Sequence, residues 1–411
     1  MKIRTYLQLS FMMFLEFAIW GVWYVTLGNY LNTIGFQGID IGKAYSTLAW
    51  ASIISAIFVS MIADKYFSAQ KLNGVLHLFS GLLMYFVSQI KEPGLFFWIL
   101  LLYMVFYMPT IALTSTIAFR HSPEAGKQFP LIRVLGTIGW IVAGIAISII
   151  KVENSNIPMQ IAAVLSVLLG IYSFTLPATP PKPDGKSIRV RDILGLDALK
   201  LMKDRSFAVL IIATLLISVP FAMYHQFANM SMNDAGITNV AGKMTLGQMS
   251  EVIFMLLMPV LFVRLGLKRM MLMGMVAWFI RYLLFAFGNN AELISFFYIG
   301  VILHGVCFDF FYVSAQIYVD KNAPRNLRAS VQGFLTFITY GLGWLIGTNM
   351  SGWLLQKYQV VDATSRISGH NWLNIMMYPS LIAMVVAVAF ILFFKENYHK
   401  TAGNLTGTAK S

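Results

Sequence analysis

Three side chains of different chemical types lie in one row on a single predicted helix. Arg133, Thr137 and Trp140 stand at positions i, i+4 and i+7, so they project from the same face. A cation, a hydroxyl and an aromatic plane together can bind a polar, ring-shaped solute. The surrounding residues are apolar, and a charge in such surroundings persists only where it is paired or faces a cavity. The row therefore predicts a solute-binding face inside a membrane.

Carboxyl groups also occur within apolar runs. Gln248 and Glu251 are three residues apart and share a helix face, whereas Asp309 lies in a different run. Carboxylates at such depth bind solute hydroxyls or carry protons. Arg281 stands near the end of its run, from where a long side chain can reach the membrane surface. We therefore leave Arg281 out of the predicted site.

Two further runs combine histidines with other polar or aromatic groups. His225, Gln226 and Asn229 lie close together in one run, with His225 and Asn229 one helical turn apart. In another run, His304 and Phe308 share a face. Imidazole and amide groups donate or accept hydrogen bonds, and a phenyl ring offers a stacking face. These five residues complete the predicted substrate-binding set.

Structural roles are the alternative for several of these residues. Arg133 and Glu251 could pair with each other simply to hold two parts of the protein together. Asp309 could form a structural bond at a helix kink. His225 and His304 could be neutral core histidines with ordinary hydrogen bonds.

The elements that position these residues are long apolar segments. The chain has 411 residues, of which 58% are hydrophobic and 11% charged, whereas soluble proteins carry about 25% charged residues. This composition excludes a soluble globular fold, and the single cysteine, Cys307, excludes a disulfide scaffold. Because a helix needs about 20 apolar residues to cross a bilayer, we predict twelve spans. They are 8–30, 44–62, 73–90, 95–119, 131–150, 157–175, 207–230, 243–265, 269–287, 293–318, 328–354 and 373–394.

Basic residues predict the orientation of the spans. The formal net charge is +13, and nearly all of the basic residues flank the spans, so nucleic-acid binding is not expected. With the N-terminus inside, 22 of the 30 Lys and Arg residues fall on the inner side and 6 on the outer side. Basic loops face the cytoplasm, so both termini are predicted to be cytoplasmic. Charges in the loops after the second and eighth spans are predicted to gate or orient the protein: Asp64, Lys65, Arg264, Lys268 and Arg269.

The spans divide into two sets of six. We predict an N-terminal half (1–176), a cytoplasmic central loop with an interfacial helix (177–206), a C-terminal half (207–400) and a cytoplasmic tail (401–411). Two six-span halves are the layout of major facilitator transporters. The fold class is thus an all-α integral membrane protein with twelve transmembrane helices. No Walker A sequence, metal-ligand spacing or nucleophile–base set occurs in the sequence, so we expect no cofactor, no metal and no enzymatic activity.

The sequence also resembles the nucleoside:proton symporter family of NupG-like permeases, in motifs that follow in order over nearly the whole chain. The longest is Phe129–Trp140. The others are Leu15–Gly28, Ala63–Lys65, Tyr107–Thr110, Gly195–Ala198, Gln248–Glu251, Ala277–Arg281, Cys307–Phe311 and Arg328–Gly333.

This resemblance implies proton-coupled import of nucleosides across the cytoplasmic (inner) membrane by alternating access. It implies substrate contacts for Arg133, Thr137 and Trp140, and for the pairs Gln248–Glu251 and Phe308–Asp309. Asp309 has no cation beside it on its own helix, so we favour it as the proton carrier, with Glu251 as the alternative.

Three positions depart from the family pattern. The segment Ala222–His225 stands where the family has Gln-x-x-Asn, His304 replaces an aromatic residue and Glu16 replaces a neutral amide.

The expected partners are a nucleoside, a proton and membrane lipid, and we expect the chain to work as a monomer. The alternatives are a proton-coupled sugar or glycoside symporter on the same fold, or a membrane solute sensor that does not transport.

Overall fold

The structure, a computed structural model, describes residues 2–58, 67–181, 194–324, 327–363 and 367–395. The N-terminal half consists of α1 (Ile3–Gly21), α2 (Leu27–Thr33), α3 (Gly38–Phe58), α4 (Ala69–Val87), α5 (Pro93–Arg120), α6 (Ala125–Ile149) and α7 (Ile157–Ser173). The C-terminal half consists of α8 (Arg205–Asp234), α9 (Val240–Phe287), α10 (Ile294–Ile302), α11 (His304–Phe308), α12 (Ser314–Asn322), α13 (Arg328–Thr336), α14 (Trp344–Lys357) and α15 (Trp372–Phe393). A 3₁₀ helix (Leu196–Lys203) lies between the halves in sequence.

Helical residues occupy every predicted span, but several spans are not single uniform helices. Within the described residues, five helices are long and apolar enough to cross a membrane alone, and the bent pair Ile294–Ile302 and His304–Asn322 makes a sixth. The first span is divided between α1 and α2. The eighth and ninth spans run together as α9, with a break at Gly266, where φ is 75°. Glycine adopts such a positive φ without steric cost.

Two π-helical turns and one small sheet complete the described part of the C-terminal half. The turns are Asp309–Val313, between α11 and α12, and Phe337–Gly343, between α13 and α14. Strands β1 (Gln359–Val361) and β2 (Ile367–His370) pair antiparallel, with Gln359 opposite His370. The predictions contain no strand here because the segment is short. Since π-helical turns are frequent at functional sites, the turn that begins at Asp309 is consistent with a functional role for this segment.

The halves pack closely through small residues at the end of the bundle that is remote from Ile3. α3 lies against α14, where a Cβ at Gly42 would come within 2.7 Å of the Thr348 carbonyl oxygen and the Gly352 Cα. α2 lies against α8, where the Asn29 amide donates a hydrogen bond to Asn229 Oδ1. α6 lies against α9. Glycine at such contacts lets helix backbones approach each other closely.

A buried polar cluster ties three helices of the N-terminal half together. Glu16 on α1 is fully buried, with Oε2 2.9 Å from His77 Nε2 on α4. Thr110 Oγ1 on α5 lies 2.6 Å from Glu16 Oε1, and the Tyr107 hydroxyl donates to the Glu16 carbonyl oxygen at 2.6 Å. Because no water is available in an apolar interior, these groups depend on each other for hydrogen bonds. We therefore assign Glu16 a structural role, because both of its carboxylate oxygens have partners on neighbouring helices.

Replacing Glu16 with Ala should destabilise the protein strongly. The change leaves His77 and Thr110 buried without their shared partner, and breaking a buried pair costs about 3–5 kcal/mol. The free energy of unfolding of the purified protein in detergent measures the loss. Glu292→Ala, at an exposed acid, is the control and should change little. An unfolding free energy for Glu16→Ala equal to that of wild type would contradict the structural role.

Replacing Gly42 with Val should separate the halves at the end of the bundle that is remote from Ile3. Gln356 Nε2 donates to Gln37 Oε1 across the two halves at 3.3 Å, so cysteines at these two positions should cross-link readily. Native Cys307 is buried and does not interfere. We expect Gly42→Val to lower the cross-linking yield, whereas Val164→Leu, on an exposed surface of α7, should not. Equal yields in both variants would exclude a tight contact at Gly42.

Candidate functional site

A cavity of about 130 Å³ lies between the two halves and contains most of the predicted site residues. Both halves contribute to it. Its wall consists of Phe17, Trp20, Arg133, Thr137, Trp140, Phe221, His225, Gln248, Glu251, His304, Phe308, Tyr340 and Trp344. Eight of the ten predicted substrate-binding residues belong to this wall. The structure thus brings together residues that are up to 175 positions apart, from Arg133 to Phe308.

The polar wall faces across the boundary between the halves. Arg133 and Thr137 come from α6, and Gln248 and Glu251 come from α9. In this structure Arg133 and Glu251 form no ion pair within 4.0 Å, so the alternative that they lock the halves together is not realised in this conformation. The Arg133 guanidinium instead lies 4.0 Å from the centroid of the Phe17 ring. A cation–π contact of this kind holds the group in place while its N–H donors remain available to a solute.

Aromatic rings form the rest of the wall. Trp20 packs edge-on against Trp140, with ring centroids 5.5 Å apart. Phe221 contacts Phe308 at 5.6 Å and Trp344 at 5.1 Å. Offset and edge-to-face contacts of this type fix ring positions. The cavity therefore has fixed flat surfaces beside its hydrogen-bonding groups.

The two histidines of the wall come from α8 and α11. His304 stacks between Tyr224, at 5.3 Å, and Phe308, at 6.2 Å between ring centroids. His304 Nε2 is 3.8 Å from Glu251 Oε2, which is too long for a hydrogen bond. The ring of His225 lies 6.5 Å from that of His304. Both imidazoles are thus held at the edge of the same space.

The prediction that the Arg281 side chain can reach the membrane surface was wrong, although Arg281 does not line the cavity. Its side chain is fully buried and does not reach a membrane surface. The guanidinium lies 3.3 Å from the centroid of the Tyr224 ring, and Nη1 is 3.1 Å from Nδ1 of His304. The physical reason is that neighbouring aromatic faces and one imidazole nitrogen contact the cation inside the bundle. Arg281 therefore lies directly behind the cavity wall.

Three predicted residues lie outside the cavity lining. Gln226 and Asn229 are fully buried on α8. Asn229 contacts Asn29 of the other half and accepts from Asn233 Nδ2 at 3.0 Å. Asp309 begins a π-helical turn and is fully buried, and neither of its carboxylate oxygens has a hydrogen-bond partner among the described residues.

The predicted gating charges are only partly described. Asp64 and Lys65 lie outside the described residues. Arg264, Lys268 and Arg269 flank the break of α9 at Gly266, and Lys268 Nζ donates to the Phe394 carbonyl oxygen at 2.7 Å. This bond attaches the break to the end of α15, so these charges remain candidates for a role in movement.

Five residues of the wall were not predicted: Phe17, Trp20, Phe221, Tyr340 and Trp344. All are aromatic, and aromatic residues are too numerous in the apolar runs to be singled out by type. Trp20 offered a signal, because it shares a face with Glu16 one turn away. The other four offered none, since neighbouring helices decide which rings face the cavity.

Comparisons with known proteins agree with this architecture. The model of the family described as Nucleoside H+ symporter matches residues 1–399. YegT of Escherichia coli (strain K12) is 41% identical over 96% of this chain and 95% of its own length. The xanthosine permease of the same bacterium is 32% identical over 95% of this chain and 96% of its own length.

A solved structure supports the fold at the level of backbone geometry. The crystal structure of the nucleoside transporter NupG matches with a TM-score of 0.86 at 30% identity, over 96% of this chain and all of that chain. These matches confirm the predicted family and the predicted all-helical transporter fold. They also confirm that the protein is a transporter and not an enzyme. The chain belongs to the Nucleoside H+ symporter family, whose members are multi-pass inner-membrane transporters with the major facilitator fold.

Proposed function

We propose that this protein imports nucleosides together with protons across the inner membrane by alternating access. The observation that carries the proposal is the cavity between the halves, where Arg133, Gln248 and Glu251 stand beside aromatic faces. A nucleoside combines a hydroxyl-rich ribose with a flat base, so it needs both kinds of surface. The family, YegT, the xanthosine permease and NupG support nucleosides as the substrate class.

Each wall residue then has a specific task. The side-chain oxygens of Gln248 and Glu251 accept hydrogen bonds from ribose hydroxyls, and Arg133 donates to ribose or base oxygens. Trp140 and Phe308 provide stacking faces for the base. Because Arg133 belongs to one half and Glu251 to the other, a bound solute links the two halves.

Asp309 is the proposed proton carrier, and Glu251 is the second candidate. Asp309 is buried next to Phe308, a residue of the cavity wall. No described Lys, Arg or His lies within 4.0 Å of its carboxyl group. A change in its charge therefore alters the energy of the surrounding packing directly, which provides a physical link between proton binding and conformation.

Alternating access follows from where the halves meet. Their close contacts lie at the end remote from Ile3, and the basic-residue distribution assigns that end to the outside. We infer that this conformation is closed to the outside. Rocking of the halves about the cavity would open the other side. The chain alone provides both halves, so we propose a monomer as the transporting unit.

The first experiment is uptake of labelled uridine and adenosine by cells that express this chain. Accumulation should occur and should fall to the equilibrium level when a proton uncoupler is added, because uphill transport needs the proton gradient. Empty-vector cells and a labelled disaccharide are the controls. Uptake of the disaccharide but of neither nucleoside, by protein located in the membrane, would contradict the proposal and favour the glycoside alternative.

A second experiment assigns the proton carrier. Asp309→Asn should abolish uncoupler-sensitive accumulation but retain exchange of internal for external nucleoside, because Asn has a similar shape and carries no titratable proton. Glu251→Gln is the matched variant and should weaken exchange itself, since Glu251 faces the solute. If Asp309→Asn accumulates nucleoside as wild type does, Asp309 is not the carrier.

A further inference from the structure

Each cavity histidine is held from behind by a partner that determines which of its nitrogens carries the proton. His225 Nδ1 lies 3.1 Å from the Phe221 carbonyl oxygen, and His304 Nδ1 lies 3.1 Å from Arg281 Nη1. We infer that the two imidazoles are fixed in opposite tautomers and read the hydrogen-bonding edge of the nucleobase, with Arg281 as a positioning residue. This inference rests on the proposed function, because it specifies how that same cavity recognises its substrate.

The tautomer of His225 follows from its carbonyl partner. A carbonyl oxygen only accepts hydrogen bonds, so Nδ1 of His225 must carry the hydrogen that it donates to Phe221. No described carboxylate lies within 4.0 Å of His225, so no partner for a charged imidazolium is present. In the neutral ring Nε2 then bears a lone pair. His225 therefore contributes a hydrogen-bond acceptor to the cavity wall.

The tautomer of His304 follows from the opposite kind of partner. An arginine guanidinium has only N–H donors and keeps its charge in proteins. Its contact with His304 Nδ1 therefore requires a lone pair on that nitrogen, which a doubly protonated imidazolium lacks. The hydrogen of the neutral ring must then be on Nε2. His304 contributes a hydrogen-bond donor to the same wall.

Arg281 is held firmly enough to impose this choice. Its side chain is fully buried, and the guanidinium lies over Tyr224, whose ring also stacks on His304. No carboxylate of the described residues comes within 4.0 Å of Arg281. The cation is thus directed at His304 by aromatic packing. His304 Nε2 remains 3.8 Å from Glu251 Oε2, so its N–H is free to bind a solute.

One fixed acceptor and one fixed donor match the chemistry of a nucleobase edge. Such an edge places a donor next to an acceptor, as N–H beside C=O or as NH₂ beside a ring nitrogen. In adenosine, the 6-amino group would donate to His225 Nε2, and ring N1 would accept from His304 Nε2. A site built to hydrogen-bond such groups rejects analogues that lack one of them, because its own polar group is left unpaired.

The test measures binding to the purified full-length protein in lipid nanodiscs. The ligands are adenosine, purine riboside, which lacks the 6-amino donor, and 1-deazaadenosine, which lacks the N1 acceptor. Wild type should bind each analogue about tenfold more weakly than adenosine, a typical effect of one lost hydrogen bond. Uridine and 3-methyluridine, in which the methyl group removes the N3–H donor, form a second pair.

Two variants serve as controls for each other. His225→Phe should remove the preference for adenosine over purine riboside but keep the preference over 1-deazaadenosine. His304→Phe should do the reverse. A loss of affinity that is the same for all ligands would show only a packing role and would overturn the inference. Wild type that binds none of the nucleosides would contradict the proposed function and the inference together, whereas equal affinity for all of them would overturn the inference alone.

The tautomers can also be observed directly in the unaltered protein. With ¹⁵N-labelled histidine, nitrogens with and without hydrogen have clearly different chemical shifts, and the chain has only six histidines. The two Phe variants assign the signals. We expect hydrogen on Nδ1 of His225 and on Nε2 of His304, and we expect Arg281→Leu to shift only His304 towards the other tautomer. The same tautomer in both wild-type rings, or an imidazolium at His304, would contradict the inference.

Discussion

A polar group buried in an apolar helical bundle costs free energy unless it finds a partner within the protein, and this cost shapes the interior of the structure. Glu16 is satisfied by His77 and Thr110, and these contacts tie three helices together. Arg281 contacts aromatic faces and, through Nη1, His304, while its Nε and Nη2 have no hydrogen-bond partner among the described residues. Arg133 and Glu251 are different, because they meet across the cavity without pairing. The cavity is thus the place where strong hydrogen-bonding groups remain available to a solute.

The contact between the halves depends on small residues that let the helices pack closely. Small residues such as Gly42 and Gly352 let α3 and α14 approach at backbone distance. The Asn29–Asn229 hydrogen bond adds a polar contact between the halves. In the proposed function, this end separates and forms again during alternating access.

In the proposed function, selectivity for the base depends on residues one layer behind the cavity wall. Phe221 O and Arg281 contact the rear nitrogens of His225 and His304, and these contacts decide what the front nitrogens offer to a solute. The two histidines depart from the family pattern. The predicted site residues on α6 and α9 follow it. In the proposed function, the shared chemistry of nucleosides and the particular choice of base are therefore handled by different parts of the cavity.

The fold class and a large part of the cavity wall could be predicted from the amino-acid sequence. The length and number of apolar runs determine an all-helical membrane protein, because a bilayer core accepts few other structures. Helical spacing placed Arg133, Thr137 and Trp140 on one face, and Gln248 and Glu251 on another. All five lie on the cavity wall. Helical periodicity alone was enough to predict these five residues, since each row contains polar residues that stand out within an apolar run.

Only the tertiary structure decided which of the other buried groups face the cavity. Gln226 and Asn229 carry the same polar signal as His225 in sequence, yet they lie outside the wall. Arg281 looked free to reach a surface, but the rings of Tyr224 and Trp278 and the imidazole of His304 enclose it. The physical reason is that a sequence shows the face of a helix on which a residue stands. The partner of a polar group, and hence its role, is set by neighbouring helices that are distant in the chain.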